Sequence, residues 1–398
     1  MPDRSSLPRI GFNAALLSFT RDYRATGVHH YIAALLAALS DEGAAITAYV
    51  GDRRAAEVLP PALTLRPLPR WAARRSGRIL WEQLLLPPAL RRDGAALLHS
   101  PAYAMPLACP APAVVTVHDL SFFHLPETFP RVQGAYLRRA TRRAARHAAA
   151  LIAVSDFTRR ELERLLGADP ARVFVVPNGI QPGCRPLPPE AVAAFSARSG
   201  LPEQFVLTLG TLQPRKNVAT LLRAYAELTR RMGDRLPALV IAGAPGWGRS
   251  DLPALIEALG LRERVILAGY VPPEDLPALY NAALLLAYPS RYEGFGLPVV
   301  EAMACGTPVV LADATSLPEV GGEAALRVPP EDVAGWAAAM ATVLADPARA
   351  ADLRAAGLRQ ATRYSWSRAA QETLAVYRQV LAGTAGRAMQ REVSRGPA

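Results

Sequence analysis

At 398 residues the chain is longer than one hydrophobic core usually serves, so two domains are expected. Hydrophobic residues make up 51% and charged ones 20%, which excludes a disordered chain, and no charge-free apolar run reaches the roughly 18 residues of a membrane-crossing helix. The net charge of +11 leaves nucleic acid, an anionic membrane surface, anionic substrates or mere arginine-rich composition open, while Cys109, Cys184 and Cys305 match neither a disulfide framework nor a zinc site.

From Met1 to Arg9 there is no apolar core or cleavage site of a signal peptide, and a cytoplasmic location is expected. Strand-like runs then follow in order: "RIGFNA", "AITAYV", "AALLHS", "AVVTVHD", "ALIAVS" and "VFVVPNG", with helical patterns between them such as His29 to Ser40. This alternation marks an α/β domain with a parallel sheet, placed at residues 1–183. In "QPGCRPLPPE" four prolines and a glycine deny both helix and sheet hydrogen bonding, so the segment reads as a linker. A second series, "FVLTLG", "ALVIAG", "RVILAGY", "ALLLAYPS", "TPVVLAD" and "AALRVPP", places a second doubly wound domain at 184–364. Residues 365–382 have helical spacing through Trp366, Leu374, Val376 and Tyr377 and are expected to pack back on the first domain, with a frayed tail at 383–398. Two such domains turn their strand ends to one cleft, where open α/β sheets bind ligands.

The stretch "SRYEGFGLPVVEAMACGTPVV" sets Glu293 and Glu301 around a glycine-rich turn. Pro298 suits a first helical turn, whose free N–H groups favour an anion such as phosphate. Glu301, one turn further on, repels a phosphate but accepts two hydrogen bonds from a vicinal diol such as ribose. Glu293, in the loop, is placed to meet sugar hydroxyls or the charge developing at an anomeric carbon. In "LTLGTLQPRKNVATLL" a strand ends at Gly210, and Arg215 and Lys216 precede a helix opening near Asn217, which together suit a diphosphate leaving group. Taken alone, two glutamates or an Arg-Lys pair equally describe solvated turns. No D-x-D triplet occurs, so the diphosphate is expected to be neutralised by these cations and not by a metal. In the first half, Gly27 stands in a loop before an amphipathic helix and "VVTVHDL" puts His118 and Asp119 at a strand end. His29, His30, His99, His124 and His147 read as packing or surface residues.

Together, "TGVHHY", "VHDL", "VSDFTRREL", "VPNGI", "GTLQPRKN", "AGYVPPEDL" and the Glu293-to-Glu301 block resemble, in order and through nearly the whole chain, the retaining glycosyltransferases of family 4. The resemblance implies the GT-B fold: two Rossmann-like domains facing a central cleft, the first on the acceptor side and the second holding a nucleotide sugar. It implies that Arg215 and Lys216 grip the donor pyrophosphate, that Glu301 holds the ribose, and that Glu293 contacts the donor sugar. Phe295, Gly296 and Leu297 would offer backbone amides, Gly27 would approach the diphosphate, His118 would contact the sugar in transfer, and Tyr270 and Val271 would meet the base. The look of "DYRATGVHHYIAALLAAL" and "RYEGFGLPVVEAMACGTPVV" is similar to bacterial mannosyltransferases of surface polysaccharide assembly, with a glycan or lipid-linked acceptor. GDP-mannose leads as donor on that ground alone, since no residue separates it from UDP-glucose or a dTDP sugar.

An oxidoreductase would need G-x-G-x-x-G after the first strand, and "GFNAALL" does not supply it. A non-catalytic nucleotide-sugar binder would be favoured by loss of Glu293, Arg215 or Lys216, and all three are present. A nucleic-acid reading rests on charge without any recognised module. Arg138, Arg139, Arg142, Arg143 and Arg146 stack on one helix face, and Arg70, Arg74, Arg75 and Arg78 lie near Trp71 and Trp81, a mixture suited to an anionic bilayer surface.

Overall fold

The computed structural model describes residues 7–19, 27–244, 246 and 251–393, with side chains through 384. The first sheet contains β1 (Ile10–Ala14), β2 (Ile46–Val50), β3 (Thr64–Pro67), β4 (Leu97–Ser100), β5 (Ala113–Val117), β6 (Ala150–Ala153) and β7 (Val173–Val175). Its strands are all parallel, in the order β3-β2-β1-β4-β5-β6-β7. The second sheet contains β8 (Phe205–Leu209), β9 (Ala238–Ala242), β10 (Val265–Gly269), β11 (Ala283–Tyr288), β12 (Val309–Ala312) and β13 (Ala325–Val328). It is also parallel, in the order β10-β9-β8-β11-β12-β13. Parallel strands joined by crossover helices are covered on both faces, which is why these runs are mostly apolar without strict alternation. The exception is β3, an edge strand mostly exposed along "TLRP", and for that reason its sequence carries no apolar signal.

On one face of the first sheet, Tyr31, Ile32 and Leu35 of the helix Gly27–Asp41 pack with Leu374, Tyr377 and Val380 of the helix Trp366–Val393. The C-terminal helix thus returns to the first domain. Its burial fixes a specific polar contact: the Tyr377 hydroxyl meets His99 Nδ1 at 2.5 Å while His99 Nε2 meets Thr116 Oγ1 at 2.8 Å. The helix runs on to Val393, past Ala382, and 394–398 lie outside the described residues. The opposite face of the sheet is covered by Trp81, Leu90 and Ala144 from three further helices. The second domain has its own core around Tyr225, Met303 and Trp336.

The chain crosses between the domains twice, through the irregular segment after β7 and again at Tyr364 to Trp366. The crossings touch: Ile180 N–H donates to Tyr364 O at 3.4 Å, and Gly179 packs directly on Trp366. At the mouth of the cleft the domains also meet. A β-carbon at Gly294 would stand 1.7 Å from His118 O, so only glycine permits this approach.

Candidate active site

Both sheets reverse their strand order at one place, between β1 and β4 in the first and between β8 and β11 in the second. Loops leaving such a reversal diverge and open a crevice beyond the strand ends. The two crevices face each other and form one cleft of about 950 Å³. Gly27, His118, Asp119, Arg215, Lys216, Tyr270, Val271, Glu293, Phe295, Gly296, Leu297 and Glu301 all line it.

At the second reversal, β8 leads to a short turn at Pro214–Lys216 and β11 leads to the loop carrying Glu293. Arg215 Nη1 lies 3.0 Å from Glu293 Oε2, and Lys216 Nζ lies 2.5 Å from Glu293 Oε1. Ser290 Oγ and the Tyr288 hydroxyl also donate to Glu293 Oε1, at 2.6 and 3.0 Å. Burial pushes the Glu293 carboxyl up, but Lys216 and then Arg215 outweigh burial and hold it down at about 2. Burial lowers Lys216 despite the Glu293 charge. The arrangement is a buried carboxylate clamped by two cations, one charge unit in excess. The loop is fixed from below: Thr315 Oγ1 accepts from Glu293 N–H at 3.1 Å, and Ser316 Oγ donates to the carbonyls of Glu293 and Phe295 at 3.0 and 3.1 Å.

The chain then turns through Gly296, whose φ of +102° is strained for any other residue, into the helix Leu297–Ala304 with Pro298 in its first turn. Glu301 sits one turn in, buried, and accepts from the Tyr280 hydroxyl at 2.8 Å. Burial raises its pKa to about 7, against the opposing hydrogen bond from Tyr280. Tyr270 and Val271 follow β10 and line the cleft.

On the first-domain side, Gly27 is the first residue of its helix and not part of a loop, and residues 20–26 before it lie outside the described residues. A β-carbon there would be 3.9 Å from Leu297 Cδ1, so two helix starts, one from each domain, face one another. His118 follows β5 and its Nε2 donates to Pro101 O at 2.7 Å, since a carbonyl only accepts, leaving Nδ1 as the ring's acceptor. Burial lowers the His118 pKa, so the ring is neutral near pH 7. Asp119 Oδ1 accepts from Ser121 N–H and Oγ at 2.9 and 2.7 Å.

Several cleft residues carry no signal in the sequence. Tyr288 and Ser290 lie inside the run that ends β11, and only the structure turns them onto Glu293. His30, read as a packing residue, lines the cleft, as does Tyr103. Cys184 and Cys305, far apart in sequence, belong to the same core of the second domain.

The basic helix Arg131–His147 forms, but two of its stacked arginines turn inward: Arg138 donates to Phe122 O at 3.1 Å and Arg143 to Leu107 O at 2.6 Å. In the other basic cluster Trp81 is buried and Arg78 half-buried, while Trp71 is exposed.

Residues 25–183 match the family model Glycosyltransferase Family 4, and residues 193–360 match Glycosyl transferases group 1. With this pair of domains and this cleft, the chain belongs to the GT-B glycosyltransferases, and it is an enzyme of that class. It is 38% identical over 292 residues to the O-antigen chain mannosyltransferase B of Escherichia coli, covering 73% of this chain and 76% of that protein. Sucrose-phosphate synthase of Thermosynechococcus elongatus shares the fold, with a TM-score of 0.77 at 23% identity, covering 94% of this chain and 99% of that one. So does Anabaena HepE, solved with UDP and glucose, with a TM-score of 0.71 at 20% identity, covering 93% and 99%.

Proposed function

We propose that the protein transfers mannose from GDP-mannose to a glycan or lipid-linked acceptor, with retention of anomeric configuration and without a metal. The observation that carries the transfer chemistry is the Arg215–Glu293–Lys216 cluster at the strand reversal of the second domain. A diphosphate entering there meets two half-buried cations, and such charge-assisted contacts are about twice as strong as neutral ones. In this reading Glu301 accepts from the ribose hydroxyls, Phe295, Gly296 and Leu297 present N–H groups that no helical carbonyl satisfies, and Tyr270 and Val271 flank the base. Glu293 stands beside the anomeric carbon, and Nδ1 of His118 accepts from a hydroxyl of the sugar in transfer.

Retention follows if the acceptor oxygen attacks the face from which the diphosphate leaves. The bond from anomeric carbon to phosphate oxygen breaks, the new glycosidic bond forms, and the acceptor proton passes to the departing phosphate. No side chain then has to act as a nucleophile. Mannose is favoured by the Escherichia coli relative named for mannosyl transfer in O-antigen synthesis, a process of surface polysaccharide. A panel of GDP-, UDP- and dTDP-sugars in a thermal-shift assay tests the donor, since a native-state ligand raises Tm. Proton NMR of the product formed in the presence of EDTA tests retention and metal independence together. An inverted anomer, or activity lost to EDTA and restored by Mg²⁺, overturns that part.

We further propose that the enzyme works at the cytoplasmic face of an anionic membrane. Among the described residues no helix is long and apolar enough to cross one. Support comes from the first domain, where Arg75 donates to Gln133 at 2.8 Å and joins the helix Arg75–Leu84 to the basic helix. Exposed Leu80 and Leu84 lie on the first of these helices and exposed Val132, Arg139, Arg142 and Arg146 on the second, while exposed Trp71 and Leu107 lie outside both. Apolar side chains that enter the headgroup layer, with arginines for its phosphates, give reversible binding of about 1 kcal/mol per cation.

A further inference from the structure

The loop after β4 holds a backbone arrangement that packing alone does not call for. Ala104 N–H donates to Ala102 O at 2.6 Å, closing a three-residue turn with Tyr103 at its centre, and Tyr103 has a φ of +58°. A positive φ is rare for a bulky side chain, and a γ-turn of this hand is strained. Such strain persists only where the surroundings enforce it, and it gathers at functional sites. Here the enforcement is visible. Tyr103 N–H donates to Thr116 O of β5 at 2.9 Å, and Pro101 O, two residues earlier, takes the hydrogen bond of His118. The ring packs edge-on against His118 and Phe122, with centroids 5.8 and 5.4 Å apart.

The result is a half-buried tyrosine on the wall of the cleft, beside His118 and within electrostatic reach of Asp119 and, across the cleft, of Arg215. Burial and Asp119 keep the phenol neutral, so it carries a proton to donate. An aromatic ring with a donor at its tip suits a pyranose, which offers an apolar C–H face and a rim of hydroxyls.

We infer that Tyr103 binds the acceptor sugar: its ring packs on the pyranose face and its hydroxyl donates to one of the sugar hydroxyls. The strained turn aims the ring, and the donor-binding groups of the second domain are not involved. This rests on the glycosyltransferase reading of the cleft.

The test uses the full chain loaded with GDP, with octyl α-mannopyranoside titrated by calorimetry. Tyr103→Phe keeps the ring and the turn and removes only the hydroxyl; the loss of one hydrogen bond should weaken the pyranoside Kd by about tenfold. Tyr103→Gly, which tolerates the positive φ, should weaken it further because the ring is lost as well. In both variants the Tm increase caused by GDP should equal that of the wild type. Unchanged pyranoside affinity in both variants, no pyranoside binding to the GDP-loaded wild type, or GDP affinity lost in parallel would each overturn the inference. If no nucleoside diphosphate raises the wild-type Tm, it is the glycosyltransferase reading of the cleft that fails.

Discussion

At the residue scale, Glu293 of the proposed donor site is bound to Arg215 and Lys216, and this changes what mutations there report. Removing one partner of a buried ionic cluster leaves the others uncompensated, at about 3–5 kcal/mol. Glu293→Gln is therefore expected to lower Tm in the absence of ligand, beyond any effect on turnover. A nucleoside diphosphate should restore more Tm to this variant than it adds to wild type, because it replaces the lost anion beside Arg215 and Lys216. A smaller shift in the variant would contradict that. Glu301 predicts a pH effect. With its pKa raised from 4.5 to about 7, the folded protein takes up a proton between those values, so ligand-free stability falls as pH rises through that window and levels above it. Ribose hydroxyls donate to the ionised carboxylate, so nucleotide binding should tighten from pH 6 to 8 and release a proton near pH 7. Calorimetry in buffers of different ionisation enthalpy reads this release, and Glu301→Gln should abolish it. Both glutamates and both cations were legible from residue chemistry at their spacings. The clamp of Glu293 by Arg215 and Lys216 was not, because it depends on Tyr288, Ser290 and the sequence-distant Thr315 converging in three dimensions.

At the element scale, the alternation of apolar runs and helical patterns foretold twelve of the thirteen strands among the described residues, and the missed one, β3, is an exposed edge without an apolar signature. Segments buried on both faces announce themselves in composition, whereas edges and caps are decided by neighbours. One such cap crosses the domain boundary: Glu319 accepts from Asp156 N–H and Phe157 N–H, at 2.8 and 3.1 Å, at the start of the helix Asp156–Leu166. A carboxylate at a helix N-terminus contributes about 0.3–1 kcal/mol when exposed. Glu319→Gln should lower Tm by about 1–3 °C at low ionic strength, with the difference shrinking as salt is added. A salt-independent loss would mean that the charge is irrelevant there.

At the scale of the whole molecule, the two parallel sheets, the cleft between their strand reversals and the return of the last helix to the first domain are one arrangement, in which the chain crosses twice between halves that meet at Gly294 and His118. Apolar patterning carries the two domains, but not which arginines of the basic helix stay exposed, since Arg138 and Arg143 turn to the carbonyls of Phe122 and Leu107 and leave Arg139, Arg142 and Arg146 to solvent. Cosedimentation with vesicles should show binding that needs anionic lipid, fades with salt and is lost in Leu80→Glu/Leu84→Glu. Equal binding to neutral vesicles would contradict the charge-dependent part. The account as a whole depends on the second domain recognising a diphosphate through Arg215 and Lys216. Titrating the protein with GDP and GMP, or with UDP and UMP if uridine binds better, measures this directly. The diphosphate should bind at least about tenfold tighter than the monophosphate, and Arg215→Ala/Lys216→Ala should erase that preference while the monophosphate still binds; a preference that survives the double substitution would contradict the account.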